Sequence, residues 1–336
     1  MNQANPEPGA TILVVGGAGY IGAHMVKLLR RSGFTVAVAD DLSSGRAAAV
    51  LGAELHVGDI GEPGFVDSVL HAVRPVAVMH FASSIQVGES MADPAKYYRN
   101  NVTATQVLLD GMRAHGVSRF IFSSTAAIFG DPSYVPIDEA HPKLPINPYG
   151  RSKWMVEQML EDFDAAYGLQ SVCLRYFNAA GADPGGELGE CHEPETHLIP
   201  LILQVASGRR PHITIHGDDY PTPDGTCVRD YIHIEDLCSA HLLALQQLLA
   251  GAGSARYNLG NGTGFSVREV IESARRVTGH AIPVVVGERR AGDPPTLVAD
   301  AGNARASLGW EPRLAALDTI VAHAWAWECK HADWPR

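Results

Sequence analysis

Tyr149 and Lys153 are four residues apart in a stretch, residues 147–167, whose pattern predicts a helix. Residues at that spacing share one face of a helix, so the phenol and the amine are expected to lie side by side. Free tyrosine has a pKa of about 10, and a nearby ammonium group stabilises the phenolate. Tyr149 could then take a proton from a substrate hydroxyl group while hydride leaves the same carbon atom. Taken alone, such a pair is more often two surface residues that share a face by accident.

A hydroxyl group that suits this chemistry occurs at Thr125. It closes the segment Ser123-Ser124-Thr125, which follows a predicted strand over residues 119–122. Ligands of a parallel sheet bind beyond the carboxyl ends of its strands, so Thr125 is expected to face the helix that carries Tyr149. Its hydroxyl group can hydrogen-bond the reacting oxygen atom. The alternative is a helix cap or a turn residue at this position.

Three glycines, Gly16, Gly19 and Gly22, separate a β-branched apolar run over residues 11–15 from a helical pattern over residues 20–31. This strand-to-helix context is the one in which such glycines bind a dinucleotide. Glycine permits a tight turn and lets backbone N–H groups approach a pyrophosphate, and the helix N-terminus adds partial positive charge. A glycine turn that binds no ligand is the alternative.

Two acidic residues end the next two predicted strands and fit the rest of a dinucleotide. Asp40 stands where a carboxylate accepts hydrogen bonds from the adenosine ribose, and Asp59 stands where the adenine is expected. No arginine lies directly beside Asp40 to neutralise a 2′-phosphate group, although Arg46 is near in sequence. We therefore predict NAD as the cofactor, in preference to NADP.

Apolar runs alternate with helical patterns along the first half of the chain. The predicted strands are residues 11–15, 35–39, 54–57, 77–81, 119–122 and 171–177, and the helices between them include 20–31, 63–73, 94–115 and 147–167. Strands that are apolar throughout and alternate with helices predict a Rossmann-type, doubly wound parallel sheet, an α/β fold covered on both faces. After residue 180 the elements shorten, which predicts a smaller α/β C-terminal substrate domain.

The domain boundaries follow from these patterns. We predict a flexible N-terminal extension over residues 1–10, an NAD-binding domain over 11–180 to which 228–250 return, and a mainly substrate-binding region over 181–336.

Composition excludes several classes of protein. The net charge of −11 argues against binding of nucleic acid, which needs a basic face. No uncharged apolar stretch reaches bilayer length and no signal peptide is evident, so we predict a cytoplasmic protein with no membrane partner. The five cysteines show no C-x-x-C pair and are expected to be reduced. Cys191, His192 and His197 suggest metal ligands, but no fourth ligand is spaced to join them, so we predict no metal.

The order of the motifs resembles the extended short-chain dehydrogenase/reductase family, and within it the nucleotide-sugar branch, over roughly residues 11–330. The motifs that carry the resemblance are residues 16–22, 80–82, 87–90, 97–102, 149–153, 174–178, 219–222, 224–226, 228–233 and 289–293. The resemblance implies an NAD-dependent 4-epimerase that interconverts UDP-galactose and UDP-glucose through a transient 4-keto sugar, with NAD tightly bound. Tyr149, Lys153 and Thr125 would be the catalytic residues.

The resemblance also implies two sets of binding residues. Contacts with NAD are expected from Gly16, Gly19, Tyr20, Ile21, Gly22, Asp40, Asp59, Ile60, Phe81, Ala82, Asn100, Ser123, Tyr149, Lys153 and Tyr176. Contacts with the UDP-sugar are expected from Thr125, Asn178, His197, Leu198, His216, Arg229, Arg290, Asp293 and Leu297. Guanidinium forks suit a pyrophosphate, so two arginines explain how an acidic protein holds an anion. Without the resemblance, Arg229 would be expected to pair with Asp230 or Glu235, and Arg290 to be a solvated charge.

Other activities remain open at this stage. The main alternative is a 4-epimerase of another UDP-sugar, such as a pentose, a uronate or an N-acetylhexosamine. Leu297 replaces a bulkier tyrosine of some family members, which leaves room for an N-acetyl group. A dehydratase needs an acid and a base beside the threonine, where this chain has Ala126 and Ala127. A non-catalytic NAD sensor would have little use for the three catalytic residues.

A homodimer is expected as well. The predicted helices over 94–115 and 148–167 show apolar stripes on more than one side, and two copies could pack them into a four-helix interface. The resemblance favours the same assembly. Burial of these stripes against the sheet is the alternative.

Overall fold

The computed structural model describes residues 10–290 and 293–330. The strands are β1 (Thr11–Val15), β2 (Thr35–Asp40), β3 (Glu54–Val57), β4 (Ala77–His80), β5 (Arg119–Thr125), β6 (Gln170–Tyr176), β7 (Asn178–Ala180), β8 (Ile213–His216), β9 (Val228–His233), β10 (Ala255–Leu259), β11 (Gly264–Ser266), β12 (Val284–Gly287) and β13 (Thr296–Leu297). The helices are α1 (Tyr20–Arg31), α2 (Pro63–Val73), α3 (Val87–Ala92), α4 (Pro94–Tyr97), α5 (Ala104–Ala114), α6 (Pro148–Tyr167), α7 (Leu198–Ala206), α8 (Ile234–Leu249), α9 (Val267–Thr278), α10 (Gly302–Leu308) and α11 (Leu317–Lys330).

A seven-stranded parallel sheet forms the centre of the fold, in the order β10-β6-β5-β4-β1-β2-β3. Helices α1 and α8 cover one face, and α2, α5 and α6 cover the other. The prediction of a doubly wound Rossmann-type α/β fold is confirmed. The strand order reverses between β1 and β4, and ligands of such sheets bind in the crevice at that reversal.

The C-terminal part contains two further small sheets. In the first, β9 pairs with β7, β11 and β13, and in the second β8 pairs with β12. Helices α7, α9 and α11 pack together over a core of their own. Although β9 lies in the small sheet, α8 follows it directly and packs beside α1 on the large sheet. The division into domains stays a prediction.

The predicted helix over 94–115 is interrupted. Helix α4 ends at Tyr97, residues 98–103 form a π-helical segment, and α5 begins at Ala104. The π-helical segment orients the side chain of Asn101 inward, where it donates hydrogen bonds to the backbone oxygen of Ser84 and the hydroxyl group of Ser152, each at 3.0 Å. Segments of this kind are frequent at functional sites.

Within the described ranges, none of the helices has both the length and the apolar composition of a membrane span.

A buried ion pair fixes α6 against the sheet. Nη2 of Arg175 on β6 lies 2.6 Å from Oε2 of Glu157 on α6, and the two side chains are 1% and 0% exposed. The hydroxyl group of Ser124 on β5 donates to the same carboxylate at 2.5 Å. The carboxylate therefore joins two strands to the helix that carries Tyr149 and Lys153.

Replacement of Glu157 by Gln should lower the free energy of unfolding by about 3 to 5 kcal/mol, because the guanidinium group of Arg175 then stays buried without its counter-charge. Glu161→Gln is the matched control, since it makes the same change one turn along α6 in a side chain that is 68% exposed. The control should cost less than about 1 kcal/mol. Equilibrium unfolding in urea measures both values, and similar losses in the two variants would contradict the role of the pair.

Candidate active site

The first turn of α6 begins close to the carboxyl end of β5. Asn147 caps the helix by accepting a hydrogen bond from the backbone N–H of Gly150 at 2.8 Å, and Pro148 occupies the first helical position. A Cβ atom at Gly150 would lie 2.4 Å from the backbone oxygen of Ala127, so only glycine permits this approach. The predicted strand over 119–122 extends to Thr125, and Ser123, Ser124 and Thr125 therefore form its last three residues. The end of β5 and the start of α6 are thus in direct contact.

Tyr149 lies at this contact and is half-buried. Its phenol interacts with the hydroxyl group of Thr125, which tends to lower the tyrosine pKa, but burial is the larger effect and raises it. The ring of Tyr97 packs edge-on against the Tyr149 ring, with centroids 6.4 Å apart. Thr125 also accepts a hydrogen bond from the backbone N–H of Ala127 at 3.1 Å, so the hydroxyl group serves as a cap as well.

Lys153 is nearly inaccessible, at 3% exposure. Its ammonium group donates to the backbone oxygen of Ser123 at 2.9 Å and lies 4.9 Å from the centre of the Phe122 ring. Burial lowers the pKa of Lys153 to about 7. The hydroxyl group of Ser123 is hydrogen-bonded to that of Tyr176, which also forms part of this buried layer. The structure thus brings five predicted residues to one place: Tyr149, Lys153, Ser123, Tyr176 and Thr125.

The predicted cofactor residue Asn100 and its neighbour Asn101 lie in different environments, and the role of Asn100 stays a prediction. Asn100 is exposed and donates to the hydroxyl group of Ser84 at 3.0 Å, whereas Asn101 is buried and reaches Ser152 on α6. Either asparagine fits a helical pattern, and the π-helical segment decides which one faces inward. Asn101 is therefore a residue of the site that the sequence analysis missed.

The glycine loop between β1 and α1 has the shape of a phosphate cradle. Gly16 has a φ of +78°, and a Cβ atom there would lie 2.4 Å from the backbone nitrogen of Ala82. Gly19 is the N-cap of α1, which has neither a side-chain cap nor an acidic residue in its first turn. The N–H groups at this helix N-terminus therefore suit a pyrophosphate. These residues fit NAD on the chain's own geometry.

Asp40 is hydrogen-bonded to the backbone of the glycine loop. Its carboxylate accepts hydrogen bonds from the backbone N–H groups of Ala18 and Leu42, both at 2.9 Å. Burial raises the pKa of Asp40, although these two hydrogen bonds act against that rise. The carboxylate is thus bonded to the loop that it borders. Asp59 is exposed and accepts from the N–H of Gly61 at 2.7 Å.

The remaining predicted cofactor residues surround the same crevice. The backbone N–H groups of Phe81 and Ala82 donate to the oxygen of Val15 at 2.8 and 3.2 Å, which holds the segment after β4 against β1. The hydroxyl group of Tyr20 donates to the backbone oxygen of Gly181 at 2.7 Å. This bond connects α1 with the segment that follows β7. Ile21 is half-buried, Ile60 is buried, and Gly22 lies in the buried first turns of α1.

Arg229 and Asp293, two of the predicted substrate contacts, form an ion pair. Nη2 of Arg229 lies 3.3 Å from Oδ1 of Asp293, and Nη1 donates to the backbone oxygen of Val228 at 2.9 Å. Asp230 and Glu235, the partners expected without the resemblance, are not the ion-pair partner of Arg229 in the described part of the chain. Asp230 is buried and accepts hydrogen bonds from backbone N–H groups. The contact with Asp293 is a long-range one that the sequence does not reveal.

His216 and Arg290 lie near this pair. Burial lowers the pKa of His216, the charge of Arg290 lowers it further, and Asp293 opposes both effects. Arg290 is exposed, and its backbone oxygen accepts from the N–H of Asp293 at 3.3 Å.

Leu297 links this region to the end of β5, where Thr125 lies. It pairs with Arg229 in the register of β13 and β9, and its side chain packs on the apolar cluster that follows Thr125, together with Phe177. Asn178, next in sequence, donates to the backbone oxygen of Asp230 at 3.0 Å. These residues therefore extend from Thr125 toward the Arg229–Asp293 pair.

His197 and Leu198 lie at the start of α7. Nδ1 of His197 is 2.7 Å from a carboxylate oxygen of Glu190 and 3.1 Å from one of Glu195. Burial alone would lower the pKa of His197, but the charges and hydrogen bonds of the two carboxylates raise it to about 10. Within the described part of the chain, His197 forms ion pairs with Glu190 and Glu195.

A model of the NAD dependent epimerase/dehydratase family matches residues 12–260 of the chain. The chain belongs to this family.

Other members of the family resemble the chain over nearly its whole length. The UDP-glucose 4-epimerase of Halalkalibacterium halodurans is 51% identical over 320 residues, which cover 95% of this chain and 96% of that protein. The crystal structure of the Brucella ovis UDP-glucose 4-epimerase in complex with NAD has a TM-score of 0.92 and 51% identity, over 94% of this chain and 97% of that one. That of the Bifidobacterium longum enzyme with NAD⁺ and UDP has a TM-score of 0.91 and 37% identity, over 96% and 99%.

These comparisons confirm two predictions: the resemblance to nucleotide-sugar enzymes of the extended short-chain dehydrogenase/reductase type, and an NAD-dependent 4-epimerase. NAD is the cofactor of this epimerase family. The roles of the individual residues stay predictions.

Gly16→Ala should empty the NAD site, because a methyl group at this position would occupy the space against the backbone of Ala82. Gly33→Ala is the matched control: Gly33 has a φ of +89°, but a Cβ atom there meets nothing within 4 Å. Both variants should lose similar stability from backbone strain, and only Gly16→Ala should lose NAD. The NAD content of each purified variant and its binding of added NAD measure the difference. Equal NAD binding by both variants would contradict the cradle.

Proposed function

We propose that the protein interconverts UDP-galactose and UDP-glucose, with Tyr149, Thr125 and Lys153 as its catalytic residues. The observation that carries the proposal is the contact between the phenol of Tyr149 and the hydroxyl group of Thr125, with Lys153 buried on the same helix face. This group of side chains lies at the carboxyl end of β5, at the crevice bordered by the glycine loop. The names and bound ligands of the relatives, NAD in one structure and NAD⁺ with UDP in another, support the same substrate and cofactor.

When bound, NAD supplies the acceptor and donor of hydride and a positive charge. The protein's own residues transfer the proton. Tyr149 takes it from the C4 hydroxyl group of the sugar and returns it to the same oxygen atom after the sugar has turned over. Thr125 donates a hydrogen bond to that oxygen atom and holds it in place. Tyr149 returns to its starting protonation state in each cycle.

The pKa values of the pair explain why positive charge is needed. Burial raises the pKa of Tyr149, so the polypeptide around it does not by itself make the phenol a base at neutral pH. The buried ammonium group of Lys153 and the cofactor's charge both favour the phenolate. Because burial lowers the pKa of Lys153 to about 7, the lysine itself is only partly charged near neutrality. In its charged form Lys153 would thus lower the pKa of Tyr149, and its position would also let it hold the cofactor.

The nucleotide part of the substrate would bind along the Arg229–Asp293 pair. We propose that Arg229 and Arg290 hold the diphosphate and that Asp293 accepts a hydrogen bond from the uridine ribose. In the chain alone, Arg229 and Asp293 pair with each other, which keeps the guanidinium group in place before the diphosphate arrives. His216 would lie beside the uracil, and Asn178, His197 and Leu198 between the sugar and the diphosphate.

The sequence prediction of a homodimer is part of the proposal. Four apolar residues, Met155, Met159, Phe163 and Tyr167, repeat every fourth position along α6, and Met155 and Tyr167 are 41% and 56% exposed. A second copy of the same stripe would cover them. Light scattering should give about twice the chain mass of 35.9 kDa, and a monomer at micromolar concentration would refute the dimer.

A cytoplasmic location stays a prediction. It agrees with the five cysteines, which form no disulfide within the described residues.

Tyr149→Phe should lower kcat for UDP-galactose by about 10²- to 10⁴-fold, because the variant has no group to take the proton, while NAD binding stays unchanged. Tyr167→Phe makes the same change at the exposed end of α6 and should leave kcat unchanged. A coupled assay of UDP-glucose formation gives both values. Turnover by Tyr149→Phe within tenfold of the parent enzyme would show that another group moves the proton.

Leu297 should determine whether an N-acetyl group fits at the sugar C2 position. We expect the protein to act on UDP-N-acetylglucosamine, and Leu297→Tyr to lower kcat/KM for that substrate by roughly 10- to 200-fold with little effect on UDP-glucose. Leu297→Met, which keeps the side-chain volume, is the control. If the parent protein acts on UDP-glucose and leaves UDP-N-acetylglucosamine unchanged, the hypothesis is wrong.

A further inference from the structure

Four side chains converge in the segment before α7: Glu190, His192, Glu195 and His197. Each contributes one oxygen or nitrogen atom, and these four atoms all lie within 4.8 Å of one another. The sequence had suggested Cys191, His192 and His197 as metal ligands and then excluded a metal because a fourth ligand was missing. The fold supplies two carboxylates in the place of that ligand.

The distances within the cluster resemble those of a four-coordinate site. Nδ1 of His197 lies 2.7 Å from Glu190 and 3.1 Å from Glu195, and Nδ1 of His192 lies 3.1 Å and 3.8 Å from the same two carboxylates. Zinc bonds to nitrogen and carboxylate oxygen are about 2.0 to 2.2 Å, so tetrahedral ligands are separated by roughly 3.3 to 3.6 Å. Movements of up to about 1 Å in the donor atoms would therefore arrange them as a tetrahedron around one ion.

The burial and charge of the cluster also favour a cation. The side chains of Glu190 and Glu195 are each 6% exposed, whereas those of His192 and His197 are 22% and 43% exposed. Two buried carboxylates that face the same point favour positive charge there, which the two histidines provide in part when they are protonated. A divalent ion supplies two positive charges at that point, and the partly exposed histidines leave it a path from solvent.

The surrounding residues hold the donors in position. The carboxylate of Glu195 accepts hydrogen bonds from the backbone N–H groups of Thr196 and His197 at 2.7 and 2.8 Å. The backbone oxygen of Glu190 accepts from the indole of Trp327 on α11 at 2.9 Å. The ring of His192 packs edge-on against Tyr20, the first residue of α1, with centroids 6.3 Å apart. The cluster thus joins α1, α11 and the start of α7.

We propose that Glu190, His192, Glu195 and His197 bind a divalent transition-metal ion, and that Zn²⁺ fits the site best. Two imidazole nitrogens favour such an ion over Mg²⁺ or Ca²⁺, which prefer oxygen ligands. With four protein ligands the site is closed, so the ion fixes the segment over 190–197 rather than taking part in the reaction. The metal site uses none of the proposed catalytic residues and shares only His197 with the proposed substrate contacts.

Titration of the chelator-treated full-length protein with ZnCl₂ at pH 7.5, followed by calorimetry, tests the proposal. We expect one zinc ion per chain with a Kd of micromolar or lower, and at least tenfold weaker binding by His192→Ala and by Glu195→Gln. His280→Ala removes an exposed histidine outside the cluster and should bind zinc as the parent protein does. Retained NAD binding shows that each variant has folded. Zinc binding that is absent from the parent, or equal in the parent and His192→Ala, would overturn the site.

X-ray absorption at the zinc edge identifies the ligands directly. The proposal requires four nitrogen or oxygen neighbours at about 2.0 to 2.2 Å. A sulfur neighbour at about 2.3 Å would mean that Cys191 or another cysteine holds the ion, and would overturn this ligand set.

Discussion

Helix α6 is fixed to the carboxyl end of β5 by two contacts, and the positions of Tyr149 and Lys153 depend on both. At the start of the helix, Gly150 allows the backbone to approach the oxygen of Ala127. Two turns further on, the carboxylate of Glu157 bonds to Arg175 and Ser124 in the sheet. Between these points the helix cannot rotate or slide without breaking a buried charge pair. The side chains at 149 and 153 are therefore held at fixed distances from the end of β5, which proton transfer between positioned groups requires.

The protein combines an acidic surface with local positive charge where the anionic ligands would bind. Arg229 is kept in place by its ion pair with Asp293. The N-terminus of α1 carries no acidic residue in its first turn, so its partial positive charge is not cancelled. A net charge of −11 and an affinity for a nucleotide diphosphate are thus compatible.

Much of the fold was predictable because its signals are local. The alternation of apolar runs with helical patterns predicted the parallel sheet, and the position of Thr125 after its strand predicted that it would meet the helix carrying Tyr149 at the carboxyl edge. The environments of individual residues were less predictable. Asn100 is exposed and Asn101 is buried because they lie in a π-helical segment, which no periodicity distinguishes from an α-helix.

Long-range pairs were equally invisible in the sequence. Arg229 and Asp293 are 64 residues apart and meet because β9 and β13 are neighbours. Glu190 and Glu195 join His192 and His197 through the path of an irregular loop, for which sequence spacing gives no rule. Predictions of this kind need the fold, since the contacts follow from the packing of elements and not from the pattern within any one of them.

The most direct test of the central claim is to follow the fate of the hydrogen at C4 of the sugar. UDP-galactose carrying deuterium at C4 would be converted by the purified protein with no NAD added, and the UDP-glucose formed would be examined by mass spectrometry and NMR. The account predicts that UDP-glucose forms and keeps the deuterium at C4, because hydride leaves and returns within one closed site. Loss of the deuterium to solvent, or no product even with NAD added, would contradict it.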